Sequence, residues 1–106
     1  MNNLNTTLLE GTLKNNPNSI GNHACELTIV SRRTNLCSDG QWREETSEFP
    51  AVVSGTVADT CMSILSKGRA VRVVGRLKQF KWMTEGVQTE KTMIIVEHIE
   101  FMPKAV

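Results

Sequence analysis

Apolar and polar residues alternate along most of this 106-residue chain, and only one stretch has the spacing of an α-helix. Two-residue alternation sends successive side chains to opposite faces of a β-strand, one facing a core and the other facing solvent. Clusters of Asn, Gly and Pro separate the alternating stretches and predict turns between them. The five predicted strands are residues 6–13, 25–30, 49–54, 70–82 and 89–101.

The single helical stretch lies between the third and fourth predicted strands. Thr56 and Asp59 resemble a capping box at its start, and Lys67-Gly68 is typical of a helix end. This order of elements predicts an all-β chain with one short helix, folded as a five-stranded OB-fold barrel that presents a strand face to oligonucleotides or oligosaccharides. We expect one domain over residues 1–106, with its core at about residues 4–103.

The charges are unevenly distributed along the chain. Twelve Lys and Arg residues oppose eleven Asp and Glu residues, which leaves a formal net charge of +1. Residues 60–84 nevertheless contain no acidic residue. The basic residues in this stretch are Lys67, Arg69, Arg72, Arg76, Lys78 and Lys81. A positive segment on a nearly neutral protein attracts a polyanion, although a solvated basic strand would have the same composition.

The fourth predicted strand has two different faces. One face is apolar and suited to a core: Val71, Val73, Gly75 and Leu77. The opposite face carries Arg72, Val74, Arg76, Lys78, Phe80 and Trp82. Cations for phosphates, interleaved with planar rings for bases, are what non-specific binding of single-stranded nucleic acid requires. In the alternative interpretation, the two rings cover the end of the barrel and the cations pair with Glu97 or Glu100 on the neighbouring strand.

Other residues are candidates for the same surface. Phe49 is an aromatic residue on a predicted strand, with a core position as its alternative. Residues 34–45 are polar and predict a long hairpin loop, in which Trp42 and Arg43 could clasp a flexible strand or lie in a subunit contact. Arg32 and Arg33 point to opposite faces of a strand, and we favour Arg32 slightly. The candidate DNA-binding residues are Arg32, Trp42, Arg43, Phe49, Arg69, Arg72, Arg76, Lys78, Phe80, Lys81 and Trp82.

Residues for catalysis or metal binding form no recognisable pattern. The sequence has no glycine-rich phosphate loop, no nucleophile–histidine arrangement and no cysteine pair at zinc-binding spacing. We therefore expect no enzyme activity, metal or cofactor. Cys25 and Cys61 lie on predicted apolar faces, whereas Cys37 in the predicted loop is the thiol expected to react. Such cysteine usage favours a reducing cytoplasm, and no apolar stretch is long enough to cross a membrane.

The most distinctive stretch is KGRAVRVVGRLK at residues 67–78, followed by Lys81-Trp82. It resembles the helix exit and fourth strand of the bacterial single-stranded DNA-binding protein (SSB) family. Residues 8–13, 48–49 and 96–101 are similar to other strands of that family. The resemblance covers roughly residues 4–103. It implies an OB-fold homotetramer around which single-stranded DNA winds during replication, recombination and repair.

The resemblance also implies particular stacking residues. Two aromatic positions of the family match Trp82 and, as a substituted aromatic, Phe49. Two others fall near Asn35 and at Ser54, which have no ring to stack, so weaker or less wrapped binding is expected.

Family members usually continue into a flexible segment whose acidic tip recruits replication and repair proteins, whereas this sequence stops at Val106. We therefore expect a tail-less form, in which any such partners bind elsewhere. Two alternatives remain open. Residues 50–55 also resemble the primosomal replication protein N, a dimeric replication-restart factor, and the barrel could serve instead as a protein–protein adaptor.

Overall fold

Six β-strands and one α-helix are present in residues 1–103, the part of the chain that the computed structural model describes. Residues 104–106, which the predicted domain includes, lie outside the described residues. In chain order the elements are β1 (Thr7–Leu13), β2 (Asn18–Gly21), β3 (Ala24–Leu36), β4 (Trp42–Ser54), α1 (Thr56–Ile64), β5 (Ala70–Thr84) and β6 (Val87–Phe101).

The sheet closes into a barrel. Its strands follow the order β1-β5-β6-β4-β3-β2, and the end of β1 also pairs with β3, where Thr12 lies opposite Val30. β4 and β6 run parallel, with Ala51 opposite Ile94. Five strands therefore surround one core, as predicted, and the short β2 lies beyond them at the edge. Because β2 was not predicted, the helix follows the fourth strand in chain order rather than the third.

Apolar side chains from the strands and the helix fill the barrel. Leu27 and Ile29 of β3 and Val71 and Val73 of β5 are almost completely buried, at the inward positions that the alternation predicts. Cys61 of α1 packs into the same cluster. Within residues 1–103 no polar or charged side chain is buried. The removal of apolar surface from water is therefore the main source of stability for this core.

Two hairpins extend beyond the barrel, and the first is much longer than predicted. β3 and β4 pair continuously from Ala24 opposite Ser54 to Leu36 opposite Trp42. The predicted loop over residues 34–45 is therefore wrong, because only residues 37–41 connect the strands. Polar residues occupy both faces of this hairpin, so it lacks the alternation by which strands are recognised. We call residues 31–48 the β3–β4 arm and residues 76–93 the β5–β6 arm.

Two local predictions are also wrong. Leu77, which alternation assigns to the core, is 48% exposed because it lies where β5 leaves the barrel. The helix has Gly55 rather than Thr56 as its N-cap, and no side chain caps it. Asp59 instead pairs with His23, at 2.6 Å between Oδ2 and Nδ1. A link between the helix and the turn before β3 thus replaces the local capping box.

Gly75 marks a close backbone approach between β5 and β6. The pairing shifts at this point, because Val74 lies opposite His98 whereas Gly75 lies opposite Val96. One residue of β6, Glu97, is therefore extra, and the strand forms a β-bulge. A Cβ atom on Gly75 would be 2.1 Å from the carbonyl oxygen of Ile95, which no real contact allows.

The Gly75→Ala variant tests this approach. We expect it to lower the free energy of unfolding by about 1–3 kcal/mol, because the added methyl group forces the two backbones apart. Urea denaturation followed by circular dichroism measures the change. The control is Gln79→Ala, at an exposed position of the same strand, which should stay within about 0.5 kcal/mol of the parent protein. Equal stabilities for the two variants would contradict the assignment.

Candidate nucleic-acid interface

The pairing of β4 with β6 defines two sides of the sheet. Ala51 and Ile94 face the core, so their neighbours Val52 and Ile95 face outward. Arg76 lies opposite Ile95 and therefore also faces outward. Alternation from these pairs puts most of the predicted site residues on the outer side. The candidates on this side are Arg32, Trp42, Arg72, Arg76, Lys78, Phe80 and Trp82.

The first half of the β5 row is neutralised by neighbouring strands. The Arg72 guanidinium lies between two carboxylates, with Nη2 2.7 Å from Glu10 Oε2 and Nη1 3.5 Å from Glu100 Oε2. The hydrogen bond to Glu10, together with the charges of Glu10 and Glu100, raises the pKa of Arg72 further. Arg76 Nη1 lies 3.7 Å from Glu97 Oε2. Arg72 and Arg76 therefore pair with Glu100 and Glu97 of β6, as in the alternative interpretation of the sequence.

The second half of the row, on the β5–β6 arm, keeps its positive charge. Lys78 Nζ lies 5.0 Å from the centroid of the Phe80 ring, within the range of a cation–π contact. Trp82 is 44% exposed, on the arm and away from the barrel core. Within residues 1–103, neither Lys78 nor Lys81 has a carboxylate oxygen within 4.0 Å. Among the described residues of the outer row of β5, an uncompensated ammonium group and an exposed ring therefore lie near each other towards the tip, at Lys78 and Trp82.

The β3–β4 arm divides its candidates between the two sides. Phe49 lies opposite Ile29 on the core side and is 39% exposed at the foot of the arm. Trp42 begins β4 on the outer side, opposite Leu36, and is 68% exposed. Phe49 and Trp42 therefore cannot stack on the same stretch of ligand along one face of this hairpin. Arg43 shares the side of Phe49 and not that of Trp42.

Several candidate cations are held by other groups of the protein. Arg32 Nη1 donates to Thr12 Oγ1 at 3.2 Å, and its Nε lies 3.8 Å from Glu44 Oε1. Arg43 Nη2 lies 2.6 Å from Asp39 Oδ2. Arg69, which precedes β5, donates from Nε to the carbonyl oxygen of Met102 at 3.1 Å. Among the described residues Lys81 has no such partner, but it lies opposite Glu90 on the core side of the β5–β6 arm, on the other face from Lys78.

Arg33, the less favoured of the two adjacent arginines in the sequence, also lies on the β3–β4 arm. Its Nε donates to Asn35 Oδ1 at 3.3 Å, and within the described residues no carboxylate oxygen lies within 4.0 Å of it. It shares the core side with Phe49. The strand register of the arm puts Arg33 on the same side as Phe49. This register could not be predicted from the sequence, because the stretch is polar on both faces.

Two of the three cysteines lie in the barrel core. Burial raises the pKa of the Cys61 thiol to about 11, with a smaller contribution from the neighbouring Cys25. Burial also raises the pKa of Cys25. Residues 1–103 contain no group of three or more His, Cys, Asp or Glu side chains that could hold a metal ion. The one helix among the described residues is not long and apolar enough to cross a membrane.

The sequence model of the single-strand binding protein family matches residues 4–102. The chain belongs to this family. The SSB protein of Aquifex aeolicus is 33% identical over 82 residues, which cover 77% of this chain and 56% of that protein. The Treponema pallidum protein of the same name is 29% identical over 79% of this chain and 47% of its own length. This SSB-family chain spans about half the length of these curated relatives.

Solved structures of SSB proteins have the same fold. The complex of Plasmodium falciparum SSB with single-stranded DNA superposes with a TM-score of 0.85 at 22% identity, covering 97% of this chain and 98% of that one. Wild-type Thermus aquaticus SSB has a TM-score of 0.79 at 24% identity, covering 94% of this chain and 50% of that one. This likeness confirms the predicted OB-fold.

Thiol labelling tests the burial of the cysteines. We expect a maleimide at neutral pH to modify only Cys37 in the folded protein, because Cys25 and Cys61 are fully buried and their raised pKa values keep them protonated. Mass spectrometry should find one label before unfolding and three in urea. The Cys37→Ser variant should carry none while folded. Two labels on the folded parent protein would contradict this arrangement.

Proposed function

We propose that this protein binds single-stranded DNA with little sequence preference and without catalysing a reaction. It would shield exposed strands during replication, recombination and repair, in the cytoplasm at the nucleoid. The observation that carries the proposal is the tip half of the β5 row, where Lys78, Phe80 and Trp82 follow one another on the outer side. Membership of the SSB family supports the same choice of ligand.

The chemistry of this row fits a flexible strand better than a duplex. Bases in a duplex already stack on one another, whereas unpaired bases can stack on Phe80 or Trp82. Among the described residues, neither the ammonium group of Lys78 in this row nor that of Lys81 on the opposite face of the arm has a carboxylate partner, so both are available to phosphates. Their contribution should weaken as salt increases, since bound phosphates release condensed counterions.

The other candidate residues have graded roles in this proposal. Phe49 and Trp42 supply further rings from opposite sides of the β3–β4 arm. Arg32, Arg43 and Arg76 would have to exchange a carboxylate for a phosphate, which makes their contribution smaller. Arg72 contributes least, because it is held by two carboxylates and lies on the surface proposed below for self-association. Arg69, held by a backbone carbonyl group near the end of β6, acts mainly through its charge.

Trp82→Ala tests the proposal. We expect oligo-dT to quench the tryptophan fluorescence of the parent protein, and the variant to bind about 1–3 kcal/mol more weakly through loss of one stacking platform. The matched control is Met83→Ala, the adjacent exposed residue on the opposite side of the arm, which should bind like the parent. An absence of quenching at low salt would refute DNA binding and favour a protein–protein adaptor, and binding indifferent to salt would refute the proposed phosphate contacts.

We also propose that the chain self-associates, as a homotetramer or alternatively a homodimer, through the outer side of β1, β5 and β6. Leu8 is 71% exposed there, beside Val74 and His98. The next row on the same surface is Glu10, Arg72 and Glu100, which compensate one another. An exposed leucine next to balanced charges suits a protein surface better than a phosphate backbone.

Leu8→Asp tests this surface. We expect sedimentation velocity to show the parent protein as an oligomer and the variant as a smaller species, because the added carboxylate would be buried without a partner. The control is Leu36→Asp, the same substitution at an exposed leucine on the tip of the β3–β4 arm. If both variants sediment like the parent, the proposed surface is wrong.

A further inference from the structure

Two adjacent arginines on the β3–β4 arm differ in how the fold uses them. Arg32 faces outward and is engaged by Thr12 Oγ1 and by the carboxylate of Glu44. Arg33 faces the other side, and the only hydrogen bond of its side chain among the described residues is the one to Asn35. Two residues with the same side chain and the same formal charge therefore offer a ligand very different amounts of uncompensated charge.

Arg33 lies on a continuous ladder that begins at Phe49, which we call the Phe49 face. Its cross-strand pairs, from the barrel outwards, are Ile29 with Phe49, Ser31 with Ser47, Arg33 with Glu45, and Asn35 with Arg43. Successive pairs on one face of a sheet are about 7 Å apart, so the Arg33 rung lies roughly 14 Å from the Phe49 ring. The two serines between them are small and carry hydroxyl groups. From the barrel outwards, the Phe49 face thus carries an aromatic ring, two small hydroxyl side chains and a cation.

The charges on the Phe49 face favour Arg33 as its phosphate ligand. Arg43 lies further out but is held by Asp39 at 2.6 Å. Glu45 lies opposite Arg33 in the register, yet the two do not come within the 4.0 Å distance of an ion pair. Phe49 is 39% exposed, so part of its ring is available to a base. If one base of the DNA stacks on Phe49 and the sugar–phosphate backbone continues over the two serines, a phosphate group of that backbone reaches Arg33.

We propose that Arg33, rather than Arg32, is the residue of the β3–β4 arm that contacts the phosphates of bound single-stranded DNA, along the Phe49 face. This inference rests on the proposed function and adds a second contact track to the outer row of β5. It implies that the ligand touches both arms of the protein.

The comparison of Arg33→Ala with Arg32→Ala tests the proposal. Both variants remove one positive charge from neighbouring positions, so the general field changes equally and only a direct contact distinguishes them. In oligo-dT titrations at about 0.1 M salt, we expect Arg33→Ala to bind roughly tenfold more weakly, as for loss of a charged hydrogen bond. The slope of log affinity against log salt should also become shallower by about one.

The other variants separate a contact from a structural effect. Arg32→Ala should weaken binding and lower the slope distinctly less than Arg33→Ala does, because Arg32 is already engaged by Thr12 and Glu44. Arg33→Lys should restore the slope because it restores the charge. Thermal unfolding of each variant shows that the fold is intact. If the parent protein binds DNA and Trp82→Ala weakens binding, but Arg33→Ala and Arg32→Ala behave alike, this inference is overturned and the proposed function stands. If the parent protein does not bind oligo-dT, the proposed function itself is wrong.

Discussion

Closure of the barrel depends on two backbone approaches that a side chain would block. A Cβ atom on Gly11 would lie 2.3 Å from the carbonyl oxygen of Val30, and one on Gly75 would lie 2.1 Å from that of Ile95. The first approach lets β1 reach β3, and the second lets β5 lie against β6 at its bulge. Because the barrel closes at these points, the remaining lengths of the long strands pair only within their own hairpins. The exposed basic and aromatic residues of the two arms are a consequence of that closure.

The position of a cation along β5 decides what it can bind. On the barrel, β5 has a neighbouring strand on each side, and Arg72 is reached by Glu10 from β1 and by Glu100 from β6. On the arm only β6 remains beside it, and within the described residues Lys78 has no carboxylate within ion-pair distance. A basic stretch that is uniform in sequence is thus divided by the fold into a half that is neutralised on the barrel and at the base of the arm, and a half that stays charged towards the tip.

The strands that could be predicted from the sequence are those in which apolar and polar residues alternate. Strands that bury one face, such as β5 with Val71 and Val73, were predicted because their side chains differ between core and solvent. The arm of β3 and β4 was missed because both of its faces are exposed, and no such difference marks its register. For the same reason the choice between Arg32 and Arg33 could not be made from the alternation alone. The prediction for Leu77 was wrong for a different reason. This apolar residue follows the alternation of the strand, but it is exposed because β5 continues beyond the end of the core.

The amino-acid order by itself determined the strand class, the helix, the inward-facing core of the barrel and the outward row ending at Trp82. It could do so because a two-residue period acts between near neighbours and needs no knowledge of distant contacts. Only the tertiary structure decided which cations are neutralised and where the barrel ends, and it placed Phe49 with Arg33 rather than with Trp42. Those outcomes depend on ion pairs and strand registers between residues far apart in the chain, such as Arg72 with Glu10, and no local pattern encodes them.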